Sequence, residues 1–191
     1  MRSIALILSL VLGSSLGVMA QTAPAAKKAA KHEVGLSYDW LRTNAQPGGC
    51  GCFVINGGGV NAALAFNNHL SAVVEMDAET RANAPTTHNS LTLASVHAGL
   101  RYYIASRAVH HNMLPFIEVL PGVAHAGGAE SGSADDTIQF SGRAGGGFDV
   151  PLSKHFGWRL AEVDYDLTTF SNGSTDRQNN LHIASGFNFH W

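Results

Sequence analysis

The sequence predicts an all-β chain folded as an eight-stranded antiparallel up-and-down barrel, and three observations predict it. Apolar and polar residues alternate with the period of two that marks a strand over most of residues 32–191, in place of the 3.6-residue helical repeat. The connections between the alternating runs switch between long and short. The polar face is nearly free of lysine, which sets it apart from a surface that meets bulk water.

Composition narrows the classes first. The chain has 191 residues, 45% of them hydrophobic and 14% charged, with a formal net charge of -2. That is room for one domain, and the near-neutral balance carries no basic footprint for a nucleic-acid partner. Charge falls well below the roughly 25% of an average soluble domain. The longest apolar run begins at Ile4 and is broken by Gly13, Ser14 and Ser15, short of the roughly 18 residues a membrane-crossing helix needs.

Residues 1–20 read as a cleaved secretory signal, with Arg2 ahead of the apolar stretch Ile4 to Leu12 and the small-x-Ala end Val18-Met19-Ala20. Residues 21–31, rich in Ala, Lys and Pro, read as a flexible tether, and 32–191 as the barrel. The first strand, His32 to Arg42, sets Val34, Leu36, Tyr38 and Trp40 against Glu33, Gly35, Ser37 and Asp39. The second sets Val60, Ala62, Leu64 and Phe66 against Asn61, Ala63, Ala65 and Asn67; the third sets Leu70, Ala72, Val74 and Met76 against Ser71, Val73, Glu75 and Asp77. In the fourth, Val96, Ala98, Leu100 and Tyr102 oppose Ser95, His97, Gly99 and Arg101.

In the fifth strand Ile117, Val119 and Val123 oppose Phe116, Glu118, Leu120 and Gly122, and Pro121, which cannot donate to a ladder, predicts a bulge or an irregular end. The sixth sets Ile138, Phe140, Ala144 and Phe148 against Gln139, Ser141, Arg143 and Gly147. The seventh sets Ala161, Val163, Tyr165 and Leu167 against Leu160, Glu162, Asp164 and Asp166, while Phe156 and Trp158 fit the other phase and predict a bulge between. The eighth sets Leu181, Ile183, Phe187, Phe189 and Trp191 against His182, Gly186, Asn188 and His190. The long connections are Thr43 to Gly58, Thr80 to Ser90, Gly127 to Asp136 and Ser171 to Asn179; the short ones are Asn67 to His69, Ala105 to Asn112 and Pro151 to Lys154. Long on one rim and short on the other is the loop pattern of an outer-membrane barrel with both termini on the periplasmic side.

Alternation alone does not say which face points inward, because a soluble barrel has the same period. The polar positions decide it: Gly, Ser, Asn, His and Gln, a few carboxylates, and Arg101, Arg143 and Arg159, with Lys154 the only lysine after the tether. That is the composition of a crowded polar interior, so the apolar face is expected to meet lipid. Tyr38, Trp40, Tyr102, Tyr103, Phe148, Trp158, Tyr165 and Phe187 fall towards strand ends, as aromatic girdles at two membrane interfaces would. Inside, Arg101, Arg143 and Arg159 are expected to pair with Glu75, Glu118, Glu162 and Asp164 as a polar network that plugs the lumen.

The two cysteines, Cys50 and Cys52, flank Gly51 in a Gly-rich run. An exported chain passes through an oxidising compartment, so a local disulfide that stiffens the first long connection is the favoured reading. Metal ligation would need two further ligands, and free or intermolecular thiols are the third alternative.

The chain ends Gly186-Phe187-Asn188-Phe189-His190-Trp191, with a terminal aromatic and another two residues before it. Gly186, Phe187, Phe189 and Trp191 resemble the C-terminal signal read by the outer-membrane assembly machinery, although Ala184 stands where a polar residue is usual.

With those residues, the chain resembles the small OmpA/OmpX-like outer-membrane β-barrel family from His32 to Trp191, and within it the runs Tyr38-Asp39-Trp40-Leu41-Arg42-Thr43-Asn44, Gly49-Cys50-Gly51-Cys52-Phe53, Pro115-Phe116 through Ala124-His125-Ala126, Gly145-Gly146-Gly147-Phe148-Asp149 and Asp164-Tyr165 through Gln178-Asn179-Asn180 are similar to a bacterial subfamily of outer-membrane β-barrel domain proteins. The resemblance implies the transmembrane barrel and the outer membrane, with membrane lipid and the assembly machinery as partners. It implies little about activity, because this fold serves adhesins, anchors, small channels and lipid enzymes.

The leading expectation is therefore a monomeric, non-enzymatic outer-membrane barrel without a cofactor, serving envelope structure or presenting its loops for adhesion. A lipid-modifying enzyme would need Ser, His and a carboxylate converging at one rim, and the pairs on offer are His182 with Ser185 and His97 with Ser95. Residues 182 and 185 have opposite strand parity, which separates them. A narrow ion or water channel is the third reading. A metal-responsive surface at His69, His88 and His110-His111 is the fourth.

Overall fold

The computed structural model describes residues 30–43, 52–82, 90–109, 112–127, 138–171 and 176–191. Eight strands, β1 (His32–Thr43), β2 (Phe53–Ala65), β3 (Leu70–Arg81), β4 (Leu91–Tyr103), β5 (Leu114–Gly127), β6 (Ile138–Pro151), β7 (Phe156–Thr168) and β8 (Gln178–His190), follow one another around a closed barrel. Every neighbour pair is antiparallel, and β8 closes on β1 with Phe189 opposite Val34 and Leu181 opposite Arg42. No helix among the described residues is long and apolar enough to cross a membrane.

The apolar phase of each strand points outward. Leu36 is 64% exposed and Val119 62%, whereas Asp39 and Arg101 of the opposite phase are at 1% and 0%. Membrane barrels invert the soluble pattern in this way, and strands of 12–14 residues suffice for a tilted crossing, which takes about 9–11.

β2 differs from expectation. It starts at Phe53, so residues 53–58 are strand and the first long connection is correspondingly shorter than Thr43 to Gly58. Phe53 and Ile55 occupy the inward phase that polar residues hold elsewhere, so outward-apolar alternation could not reveal them. Tyr103 is a second correction. It belongs to no outer girdle but is buried inside the barrel, in phase with Arg101.

Pro121 makes no bulge. Its pairing to β6 is continuous, and on the β4 side the ladder skips two positions and resumes without a register shift, with His97 opposite Gly122 and Leu100 opposite Val119. The bulge expected in β7 is present: the register shifts on both sides around Leu160, which is turned outward and not, as its place in the alternation suggested, inward.

At the turn-side rim the chain ends are tied together. Trp191 accepts hydrogen bonds on its carbonyl from the backbone of Lys31 and His32 and donates its own N–H to His32, each at 3.1 Å. Lys31, the last residue of the expected tether, also accepts from the backbone of Ala65. The rings of Trp191, Phe189 and Phe156 form a chain, with centroids 5.6 and 5.2 Å apart, and His32 stacks on Trp191. The expected signal, residues 1–20, most of the tether and Cys50 lie outside the described residues; Cys52 is exposed just ahead of β2.

Candidate functional site

The interior of the barrel is where the chemistry of this chain is concentrated. Strand parity directs Glu33, Asp39, Glu75, Asp77, Glu79, Glu118, Asp149, Glu162, Asp164 and Asp166 inward, and all ten are buried. Three buried guanidiniums, Arg101, Arg143 and Arg159, face them. The expectation of only a few carboxylates in the interior is thus corrected.

Towards the turn side, Arg101 and Arg159 share one layer. Arg101 donates from Nε to Glu118 (2.6 Å), from Nη2 to Glu75 (2.9 Å) and from Nη1 to Glu33 (3.4 Å). Arg159 donates from Nε to Asp149 (3.0 Å) and from Nη1 to Glu162 (2.9 Å), and also reaches Glu33. Both guanidiniums stand over the ring of Phe116, 4.7 and 4.8 Å from its centroid, a cation–π arrangement strengthened by burial away from water. The Tyr103 hydroxyl donates to Asp149 at 2.8 Å.

Nearer the loop side, Arg143 grips both oxygens of Asp77 (2.9 and 2.8 Å) and donates to Asp166 at 3.3 Å. Its partners lie outside the set Glu75, Glu118, Glu162 and Asp164 from which the three arginines were expected to draw, because Asp77 on β3 and Asp166 on β7 lie at its own level. Asp164 is bonded to His182 Nδ1 at 3.1 Å.

Apolar side chains gather in clusters towards both ends of the interior. Leu41, Phe53, Ile55, Leu93 and Ala124 form the loop-side cluster, with Leu91, Ala126 and Phe170 against it. Tyr103, Leu114 and Phe116 form the turn-side cluster. Between them Ala63, Val73 and Leu120 make a small third cluster.

The candidate catalytic pairs do not assemble at a rim. His182 is buried inside while Ser185 bonds Trp158 Nε1 and the Arg159 carbonyl, and Ser95 donates to Asp77 rather than to His97. His97 Nε2 lies 2.8 Å from Ser141 Oγ, and Nδ1 lies 3.8 Å from Asp77. This is a serine–histidine–carboxylate sequence in form, but both Ser141 and His97 are fully buried inside the barrel. His69 bonds the Tyr103 carbonyl at 2.8 Å and stacks on Tyr102, which ties it to the turn; His88, His110 and His111 lie outside the described residues.

Sequence reading missed Glu33, Asp39, Asp77, Glu79, Asp149 and Asp166 as members of the network. Their inward parity was the available signal, and Glu33, Asp39, Asp77 and Asp166 stand on the polar side of the alternation.

No protein-family model and none of the curated proteins matches the sequence. The solved structures give the fold. Neisserial surface protein A superposes with a TM-score of 0.63 at 13% identity, over 84% of this chain and 97% of that one. Ail, the attachment invasion locus protein of Yersinia pestis, gives 0.57 at 14% over 85% and 99%. The outer-membrane protein OprG of Pseudomonas aeruginosa gives 0.58 at 10% over 87% and 98%. The architecture is therefore that of the small eight-stranded outer-membrane barrels of the OmpA/OmpX type.

Proposed function

We propose that the chain is an integral, monomeric outer-membrane β-barrel protein that acts without catalysis, through the surface it presents or the envelope structure it contributes. The observation that carries this reading is the interior: ion-paired layers lie between two apolar clusters, and an eight-stranded lumen is about wide enough for its own side chains. A path for solutes would have to pass both clusters and part the ion pairs, so on this reading activity falls to the rims. Among barrels of this fold is an attachment invasion protein solved with a heparin analogue, which supports surface presentation by analogy of fold.

The remaining parts of the reading follow. Residues 1–20 direct export and are removed near Ala20. The assembly machinery recognises Gly186, Phe187, Phe189 and Trp191, and lipid surrounds the apolar band. Cys50 and Cys52 stiffen the first loop as a disulfide.

Fractionation with surface proteolysis of intact cells tests it. The expected result is outer-membrane recovery, cleavage within residues 44–51 or 128–137, and protected strands. Recovery in the soluble periplasm overturns the reading, and steady conductance in a planar bilayer replaces it with that of a narrow channel.

A further inference from the structure

The charge balance of the interior is unequal, and the inequality has an address. Arg101 and Arg159 engage Glu33, Glu75, Glu118, Asp149 and Glu162, and Arg143 engages Asp77 and Asp166. Among the described residues, Glu79 has only Arg143, at 3.8 Å and beyond hydrogen-bond reach, and Asp39 and Asp164 share the single imidazole of His182. An uncompensated carboxylate in such surroundings is costly, so the surplus calls for a cation or protons.

We propose that Asp39, Glu79 and His182 form a buried binding site for a divalent transition-metal ion such as Zn²⁺ or Mn²⁺, with Asp164 as the residue that orients the imidazole. One donor atom from each of the three lies within 4.8 Å of the others. Metal bonds of about 2.0–2.2 Å hold donors roughly 3–4 Å apart, so small rotations complete the set. Both oxygens of Asp39, both of Glu79 and Nε2 of His182 have no hydrogen-bond partner among the described residues, although Asp39, Glu79 and His182 are 1%, 0% and 2% exposed.

The strand register makes the room. Gly57 on β2 stands directly between Asp39 on β1 and Glu79 on β3, so no side chain separates the two carboxylates. His182 lies on β8, on the other side of Asp39, with Nε2 3.7 Å from Asp39 Oδ1.

Asp164 supplies what metal-binding histidines commonly have, a carboxylate on the other ring nitrogen. His182 donates from Nδ1 and so turns the Nε2 lone pair towards Asp39. Two carboxylates and a neutral imidazole balance a dication, and the mixed oxygen and nitrogen set suits zinc or manganese better than magnesium. Arg143 stands 3.8 Å from Glu79, too far for a hydrogen bond, and three of its five N–H groups go to Asp77 and Asp166.

The test uses the full-length protein extracted from membranes in detergent, refolded with Zn²⁺ or Mn²⁺, dialysed and assayed for metal by mass spectrometry. The folded wild type is expected to retain one ion per chain. Asp39→Asn, Glu79→Gln and His182→Gln are each expected to lose it. Asp164→Asn is expected to keep the stoichiometry with affinity lowered about 10–100-fold. Folding of each variant is read from heat-modifiable gel mobility. Should the variants fail to fold, Co²⁺-loaded wild type decides, because coordination shifts the His182 ring resonances paramagnetically. Absence of retained metal in the folded wild type overturns the proposal. So does equal retention by folded Asp39→Asn and His182→Gln, or a His182 ring that carries both protons and does not respond to Co²⁺.

Discussion

Arg143 holds Asp77 through two parallel hydrogen bonds, Nη1 to Oδ1 at 2.9 Å and Nη2 to Oδ2 at 2.8 Å, across 66 residues of sequence. Fork-to-fork pairing of this kind is directional as well as strong, and it fixes β6 against β3 across the lumen. Arg143→Ala would leave Asp77 and Asp166 facing one another uncompensated. The expected loss is about 3–5 kcal/mol, the cost of breaking a buried pair from one side. It is read as a lower temperature of conversion from the folded to the unfolded band on a gel; unchanged heat resistance would contradict it.

Tyr103→Phe removes one donor from Asp149 while Arg159 stays in place. A hydrogen bond to a charged group contributes about 1.5–3 kcal/mol, so destabilisation at the low end of that range is expected, smaller than for Arg143→Ala. Urea titration of the barrel in detergent measures the difference. A loss as large as that of Arg143→Ala would show that Tyr103 does more than bond Asp149.

Gly99→Val is expected to block folding. A Cβ at this position meets the Val119 carbonyl at 2.0 Å and the Leu120 Cα at 3.0 Å, both backbone atoms that cannot rotate away. This close approach lies where the β4–β5 ladder skips Leu120 and Pro121. Gly142→Ala, which meets only the Phe140 ring edge at 3.4 Å, is the matched control and is expected to fold. Fractions of heat-modifiable protein in membranes compare the two.

Removal of Trp191 deletes the carbonyl that joins Lys31 and His32 and the end of the aromatic chain through Phe189 and Phe156. Slower appearance of folded barrel in a pulse-labelled culture is expected, with protein that does fold remaining close to normal stability. Equal rates for the two chains would argue against an assembly role for the C-terminal aromatic.

The two-residue period was legible wherever apolar residues face outward, which is why eight strands and their order could be read from Val34, Leu36, Val60, Val96, Val119 and their neighbours. It failed where the interior itself turns apolar. Phe53 and Ile55 sit in the inward phase and make β2 look like loop, and Tyr103 shares the phase of Arg101 yet reads as a girdle residue. Part of the charged network was legible by parity, since Arg101 meets Glu75 and Glu118 and Arg159 meets Glu162, but the partner of Arg143 was not: it finds Asp77 through barrel closure and stagger, which no local pattern encodes. The Asp39–Gly57–Glu79 row was hidden for the same reason, since it spans three strands.

Glu33 accepts from Arg159 across 126 residues and from Arg101 across 68, so the first strand and the seventh are joined by the same carboxylate. Until β8 has come round to β1, these charges have no enclosed place in which to meet. A half-built barrel would hold naked guanidiniums and carboxylates against an open edge beside lipid, a state with nothing to recommend it over the unfolded chain. Closure of the seam and pairing of the charges are therefore a single event, and the barrel is expected to appear in the membrane whole, without a long-lived curled sheet on the way.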